Sequence, residues 1–134
     1  MAERLFKLEI ISPDKIFYSN DVYMVEYTTT EGDVGVYAGH IPMTQILAPG
    51  VLTISEDENT QRTAALHAGF VEISQEKVTI LAETAEWPEE IDVNRAKEAA
   101  IRAKRRIEAG GDMDMKRAEL ALKRALIRES VARM

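Results

Sequence analysis

Four arginines and one aspartate in the last third of the chain have a spacing that suits the binding of an anion. In a two-helix antiparallel hairpin they fall at heptad positions c and g, which share one flank of each helix: Asp92, Arg95, Arg102, Arg124 and Arg128. Guanidinium groups are planar and donate to two oxygens at once, so they suit phosphate. The unpaired N–H groups at the start of the first helix, which Asp92 can cap, strengthen this preference for an anion.

Two interpretations of this flank are open on geometry alone. One is a solvated basic face, because each close pair of guanidinium groups costs only about 1 kcal/mol in water. The other is an anion held between the helices, whether a nucleotide, a sulfate or a nucleic acid. Residues 1–91 carry a net charge of −11 and residues 92–134 a net charge of +5. The strong negative charge elsewhere in the chain disfavours nucleic acid as the partner.

The periodicity after residue 90 predicts the two helices that this flank requires. Apolar residues recur at steps of three and four, first at Val93, Ala96, Ala100, Ala103 and Ile107 and then at Met115, Ala118, Leu122 and Ala125. This spacing places them on one stripe of each helix. Between the two runs, Gly110 or Gly111 is predicted to end the first helix in a left-handed conformation, and Asp112 or Asp114 to cap the second.

A second apolar row on the second helix is formed by Leu120, Ile127 and Val131. A simple hairpin leaves this row uncovered, so we predict that it docks on the first half of the chain. The same row becomes available to another surface if the hairpin opens. Fully straightened, residues 92–132 span roughly 60 Å at the helical rise per residue.

The first half of the chain has the period of β structure. Short runs rich in β-branched and aromatic residues, such as "FKLEI", "VYMVEYTTT" and "KVTILAE", alternate with the turn signals "SPDK", "SND", "EGD", "APG" and "SEDENT". Such spacing is typical of an antiparallel sandwich or flattened barrel. The fold class predicted is therefore α+β, with a β-sandwich over residues 1–87 and a two-helix antiparallel hairpin over residues 88–134.

Catalytic and metal-binding signatures are absent from the sequence. There is no cysteine and there are only two histidines, and no nucleophile is paired with a base. His67 lies in an apolar strand pattern, which favours a hydrogen-bonded structural role. His40 lies between loop formers, where it either caps nearby backbone or contacts a partner. No run is long and apolar enough to span a membrane, so we expect a partner to hold the protein at any membrane where it works.

Ordered motifs in both halves resemble those of the epsilon subunit of bacterial F-type ATP synthases. They are "EGDVGVYAGHIPM", "APGVLTI", "HAGFVEI" and "VTILAETAE" in the first half, and "IDVNRAK" and "KRAELALKRA" in the second. The resemblance covers essentially the whole chain and implies the same sandwich followed by a helical hairpin. It also implies a non-catalytic rotor subunit of the central stalk, which couples proton-driven rotation to ATP synthesis.

The resemblance implies partners and a location as well. The sandwich is expected to bind the gamma subunit and the membrane c-ring, with Glu31 and His40 in the segment near the c-ring. The hairpin is expected to extend along gamma, to reach the catalytic alpha and beta subunits and to inhibit ATP hydrolysis. The protein would then lie at the cytoplasmic face of the bacterial cell membrane without inserting into it, and no nucleic acid would bind.

Some bacterial members of this family bind ATP through a motif written I/L-D-x-x-R-A, which Ile91, Asp92, Arg95 and Ala96 match. The further ATP contacts of the family match Glu86, Arg102, Arg124 and Arg128. The resemblance thus implies that ATP is a regulatory ligand of the closed hairpin, and it leaves the need for Mg²⁺ open. The alternative is the same rotor subunit with a purely mechanical hairpin that does not bind ATP.

Trp87 and Pro88 depart from the expected pattern beside Glu86. Proline fixes its local backbone and tryptophan is bulky. The pair is predicted either to stack on a nucleotide base or to distort the pocket.

Overall fold

The computed structural model describes residues 4–110 and 115–134. Over these residues the chain forms ten strands, a 3-10 helix and two α-helices. Their bounds in chain order are β1 Phe6–Ser12, β2 Lys15–Val22, β3 Met24–Thr29, β4 Gly32–Tyr37, β5 Met43–Ile46, β6 Gly50–Ser55, β7 Gln61–Leu66, β8 Gly69–Ile73, β9 Lys77–Ala82, β10 Ala85–Glu86, the 3-10 helix Pro88–Glu90, α1 Val93–Ala109 and α2 Met115–Ala132.

The strands form two five-stranded sheets that enclose one apolar core. The first sheet has the order β2-β1-β9-β8-β5 and the second has the order β10-β7-β6-β3-β4. Phe6, Leu8 and Ile10 alternate inward along β1 and are buried in this core, as their period-two spacing predicts. The sandwich is thereby confirmed, although β1 and β9 pair in parallel, a detail that periodicity does not predict.

One predicted turn is wrong. Ser19, Asn20 and Asp21, which the sequence predicts as a turn, lie inside β2 and pair with β1. Their side chains are exposed, since β2 is the edge strand of the first sheet. An edge strand tolerates polar residues on its open side, so a polar triplet there does not end the strand.

The two ends of α1 follow the predicted chemistry. The Asp92 side chain accepts a hydrogen bond from the Arg95 N–H at 3.1 Å, which makes it the N-cap. Gly110 ends the helix with φ 68° and ψ 51°, a left-handed conformation that favours glycine. The other residues predicted for this connection, Gly111, Asp112 and Asp114, lie outside the described residues.

The predicted alanine seam is confirmed. Five alanines are buried between the helices or beneath them: Ala96, Ala100, Ala103, Ala118 and Ala125. Because the seam side chains are small, the two helix axes can lie close together, while each contact buries little apolar area.

The end of α2 docks on the second sheet. Val131 is fully buried in a small cluster with Ala65 of β7 and Ile91, and Ile127 packs against it. Leu120 was predicted in the same docked row, but 39% of it is exposed, so that part of the prediction is wrong. The α2 residues that pack against the sandwich in this cluster, Ile127, Val131 and Ala132, all lie well after Leu120.

Candidate functional site

A cleft of about 400 Å³ lies where β10, the 3-10 helix, the start of α1 and the end of α2 meet. We call it the arginine cleft, and it is lined by Glu86, Glu90, Asp92, Arg95, Ala96, Ala99, Arg102 and Arg128. Both helices and the segment that joins them to the sandwich therefore contribute to one concave site. Its volume falls within the range of small-molecule sites, about 300–1,000 Å³.

Six of the eight residues predicted for the ATP site line this cleft: Glu86, Asp92, Arg95, Ala96, Arg102 and Arg128. Sequence reasoning missed Ala99 and Glu90. Ala99 lies four residues after Arg95 and three before Arg102, so helical spacing alone was a sufficient signal. Glu90 has no such signal, since it precedes the helix.

Two of the predicted residues, Ile91 and Arg124, do not line the cleft. The Ile91 side chain is buried with Ala65 and Val131, because an apolar residue just before the helix turns toward the sandwich. Arg124 does not line the cleft, and its buried Nε has no hydrogen-bond partner in the part of the chain that the structure describes. Helical spacing sets the flank of a residue but not the rotamer of a long side chain.

Trp87 and Pro88 do not line the cleft, and their stacking on a nucleotide base or distortion of the pocket stays a prediction. The Trp87 ring stacks on Phe17 of the sandwich at 4.2 Å between centroids. The Arg62 guanidinium lies 3.9 Å from the same ring. Pro88 begins the 3-10 helix, where its missing N–H costs nothing. The Trp87 contacts fasten the linker to the sandwich.

Glu90 is held at the rim of the cleft by two contacts. Its Oε1 accepts a hydrogen bond from the Trp87 N–H at 2.9 Å, and its Oε2 lies 3.5 Å from Lys15 Nζ. The Lys15 contact ties the linker to the sandwich, and the Trp87 contact closes the turn around Pro88.

Glu86 connects the sandwich to the hairpin by charge. Its Oε1 accepts a hydrogen bond from Arg128 Nε at 2.6 Å, and His67 Nε2 lies 3.4 Å from the same oxygen. The neighbouring His67 imidazole and then the Arg128 guanidinium lower the pKa of the Glu86 carboxyl to about 2, against the opposing effect of burial. Glu86 is therefore an anion in the closed hairpin at neutral pH.

His67 is buried, with 2% of it exposed. Neither ring nitrogen makes a hydrogen bond of good geometry within the described residues, so the predicted hydrogen-bonded role is wrong in that respect. The 3.4 Å approach to Glu86 is long for a hydrogen bond and is better described as an electrostatic contact. Among the residues that the structure describes, no group of three potential metal ligands occurs.

Glu31 and His40 are not brought together. Glu31 lies in the exposed turn before β4, and His40 follows β4 in the next loop. A six-residue strand separates these two ends by roughly 20 Å. His40 Nδ1 lies 2.8 Å from the Ile41 carbonyl oxygen, which agrees with a loop histidine that contacts nearby backbone.

A larger groove, about 630 Å³, separates α2 from the outer face of the second sheet. Among its lining residues, Lys123 is accompanied by the two carboxylates of Glu26 and Asp33. This charge pattern does not suit an anion, so the smaller arginine cleft is the better candidate site.

The outer face of the first sheet has an apolar row that crosses all five strands. Successive partners in the strand register are Ile16, Ile11, Leu81, Phe70 and Ile46. Ile16, Phe70 and Ile46 are exposed. Ile11 and Leu81, which lie between them, are half-buried. An apolar row with this much exposure is typical of a protein interface. Neither described helix is long and apolar enough to cross a membrane.

Two protein families together match almost the whole chain. The family described as "ATP synthase, Delta/Epsilon chain, beta-sandwich domain" matches residues 5–88. The family described as "ATP synthase, Delta/Epsilon chain, long alpha-helix domain" matches residues 89–133. The two matches meet at the linker that precedes α1.

Curated relatives and solved structures agree with these matches. The chain is 42% identical to the ATP synthase epsilon chain of Bacillus pumilus, over 94% of this chain and 95% of the relative. It is 47% identical to that of Alkaliphilus oremlandii, over 78% and 77% respectively. A chain in the structure of Euglena gracilis mitochondrial ATP synthase, OSCP/F1/c-ring, superimposes with a TM-score of 0.83 at 25% identity, over 94% of this chain and 80% of that one.

A chain in the Tetrahymena thermophila mitochondrial ATP synthase, central stalk/c-ring, has a TM-score of 0.61 at 17% identity, over 99% of this chain and 95% of that one. At this identity the likeness shows the fold alone. The family matches and the bacterial relatives go further. The chain belongs to the ATP synthase epsilon chain family and is an accessory, non-catalytic subunit of that complex.

Proposed function

We propose that this epsilon chain is a central-stalk rotor subunit whose helical hairpin senses ATP and brakes ATP hydrolysis. The observation that carries the proposal is the arginine cleft. Arg95 and Arg102 of α1 and Arg128 of α2 line one cavity with Asp92 and Glu86. A triphosphate between the helices would bridge the two arginine groups, and the adenosine would lie toward the two carboxylates.

ATP would act by favouring the closed hairpin. A ligand shifts a conformational equilibrium only by its preference for one state. An opened hairpin moves Arg128 away from Arg95 and Arg102 and so loses the bridging site. At low ATP the helices would extend along gamma toward the catalytic alpha and beta subunits and block wasteful hydrolysis. Mg²⁺ would accompany the nucleotide only if the phosphates keep room for it in the cleft.

Two surface regions of the sandwich suit two different partners. The apolar row fits the gamma subunit, because exposed apolar area is what a lasting interface buries. The exposed polar turn around Glu31 fits the polar loops of the c-ring. The exposed apolar residues beside His40, such as Ile41 and Met43, favour gamma over the c-ring at that end of β4. These contacts would hold the protein at the cytoplasmic face of the cell membrane.

Isothermal titration of the isolated protein with ATP, with and without Mg²⁺, tests the ligand. We expect a saturable signal at millimolar ATP or below. Arg95→Ala should weaken binding at least roughly tenfold, as expected when a charged hydrogen-bond donor is lost. Arg105→Ala, an exposed arginine of α1 outside the cleft, is the matched control and should bind like the wild type. Equal affinity of the wild type and Arg95→Ala would refute the site.

The charge balance of the cleft favours one alternative, in which the hairpin works without bound ATP. Three carboxylates already accompany the three arginines, and Arg128 is paired with Glu86, so the closed hairpin is neutralised without a ligand. In that alternative the hairpin is a mechanical brake that does not respond to ATP. Unchanged ATP titrations across substitutions at the cleft residues Asp92, Arg95 and Arg102 would support it.

A further inference from the structure

His67 and Arg128 approach the same oxygen of Glu86 from opposite structural units. Arg128 belongs to the hairpin and lies 2.6 Å from Glu86 Oε1. His67 follows β7 and lies 3.4 Å from that oxygen. Only the arginine contact has the length of a strong charge-assisted hydrogen bond. The imidazole is therefore a nearby second partner whose contact with Glu86 is longer than that of Arg128.

The imidazole is fixed in place by its backbone. The His67 N–H donates to the Thr84 carbonyl oxygen at 3.0 Å, and β10 pairs with β7 immediately before it. The ring is 2% exposed, and neither nitrogen is satisfied within the described residues. A buried polar group without a partner costs free energy, so His67 gains when Glu86 becomes available to it.

We propose that His67 is a positioning residue that takes over Glu86 Oε1 when Arg128 turns to a phosphate in the arginine cleft. His67 Nε2 would then donate to Oε1 and keep the carboxylate oriented, while Oε2 stays free to accept an N–H or O–H of the nucleoside. Arg128 is released to the phosphates without leaving Glu86 unpaired. This inference rests on the proposed binding of ATP and assigns the exchange of partners to a residue outside the ATP motif.

The imidazole proton signals of the full chain test the exchange directly. The chain has only two histidines, so His40 serves as an internal reference in the same spectrum. In Arg128→Ala the His67 Nε2–H resonance should move downfield and exchange more slowly with water than in the wild type. Saturating ATP should produce the same shift in the wild type, and Glu86→Gln should prevent it. A His67 resonance that is identical in the wild type and in Arg128→Ala overturns the proposal.

Comparing the affinities for ATP and for inorganic triphosphate separates a positioning role of His67 from a merely structural one. His67→Leu removes the donor at similar volume, and ATP binding should weaken roughly tenfold. Inorganic triphosphate has no nucleoside, so its affinity should stay within about twofold. His67→Gln restores an N–H and should recover ATP binding. Equal losses for ATP and triphosphate would overturn the proposal, as would no loss for either.

The two proposals fail in different ways. If the wild type does not bind ATP, the proposed function fails. The His67 Nε2–H resonance in Arg128→Ala still tests whether His67 takes over Glu86 Oε1. If His67→Leu does not fold, that resonance measurement again decides.

Discussion

Glu86 links the sandwich to the hairpin and lines the proposed ligand site. It belongs to the two-residue strand β10 and pairs with Arg128 near the end of α2. The pair joins sandwich to hairpin and occupies one of the three cleft arginines. Because a phosphate would compete for the same guanidinium, the strength of this pair would set part of the affinity for the proposed ligand.

The lowered pKa of Glu86 predicts a pH dependence of stability. A carboxyl whose pKa falls on folding stabilises the folded chain above its unfolded pKa, and this contribution is lost as the pH falls through the folded pKa. With a shift from 4.5 to about 2, the contribution is complete at neutral pH and disappears between these two values. Thermal unfolding should show the wild type more stable than Glu86→Gln at pH 7. Near pH 2 the two should be equally stable. A constant difference between them would contradict this.

At the scale of elements, the alanine seam decides how closely α1 and α2 approach. Its residues were predicted from steps of three and four, since helix geometry dictates which side chains share a stripe. The strand pattern and the cap at Asp92 followed from equally local rules. The parallel β1–β9 pair, the polar stretch of β2 and the direction of Arg124 did not, because strand partners and long-chain rotamers depend on tertiary contacts.

The seam predicts that an alanine-to-leucine substitution destabilises the chain at one position of α2 and has little effect at another. Ala125 is 1% exposed and Ala121 is exposed. Ala125→Leu should cost about 1–3 kcal/mol, because overpacking pushes the helices apart. Ala121→Leu should change stability by less than about 0.5 kcal/mol. Urea unfolding followed by helical circular dichroism measures both, and ATP affinity should fall only for Ala125→Leu. Equal effects would mean that the seam is not close-packed.

At the scale of the whole molecule, a large sandwich carries a lightly attached hairpin. The strand network has one extensive core, whereas the docked end of α2 rests on a small cluster around Val131, Ile91 and Ala65. Such an attachment opens at a lower free energy than the core unfolds. Sequence reasoning predicted the docked row, but not that Leu120 would remain exposed, because the row's distance from the sheet depends on the tilt of α2.

If the hairpin is the proposed brake, weakening this attachment should strengthen inhibition. Val131→Ala removes buried apolar contacts at a cost of about 1–2.5 kcal/mol, so the hairpin should open more often. In reconstituted ATP synthase, ATP hydrolysis should then be more inhibited than with the wild-type chain. Leu120→Ala, at a position of the same helix outside this cluster, should behave like the wild type. Equal hydrolysis rates for the two variants would show that the cluster does not control opening.

Trp87 stacks on Phe17 with Arg62 beside its ring, which makes it an intrinsic fluorescence probe of this part of the protein. Trp87 is the only tryptophan in the chain, so all indole emission comes from the base of the hairpin. A hairpin that swings about residues after Pro88 leaves this emission unchanged, whereas one that peels away with its linker exposes the indole and shifts the spectrum. Unlabelled protein can therefore reveal on which side of Pro88 the hinge lies.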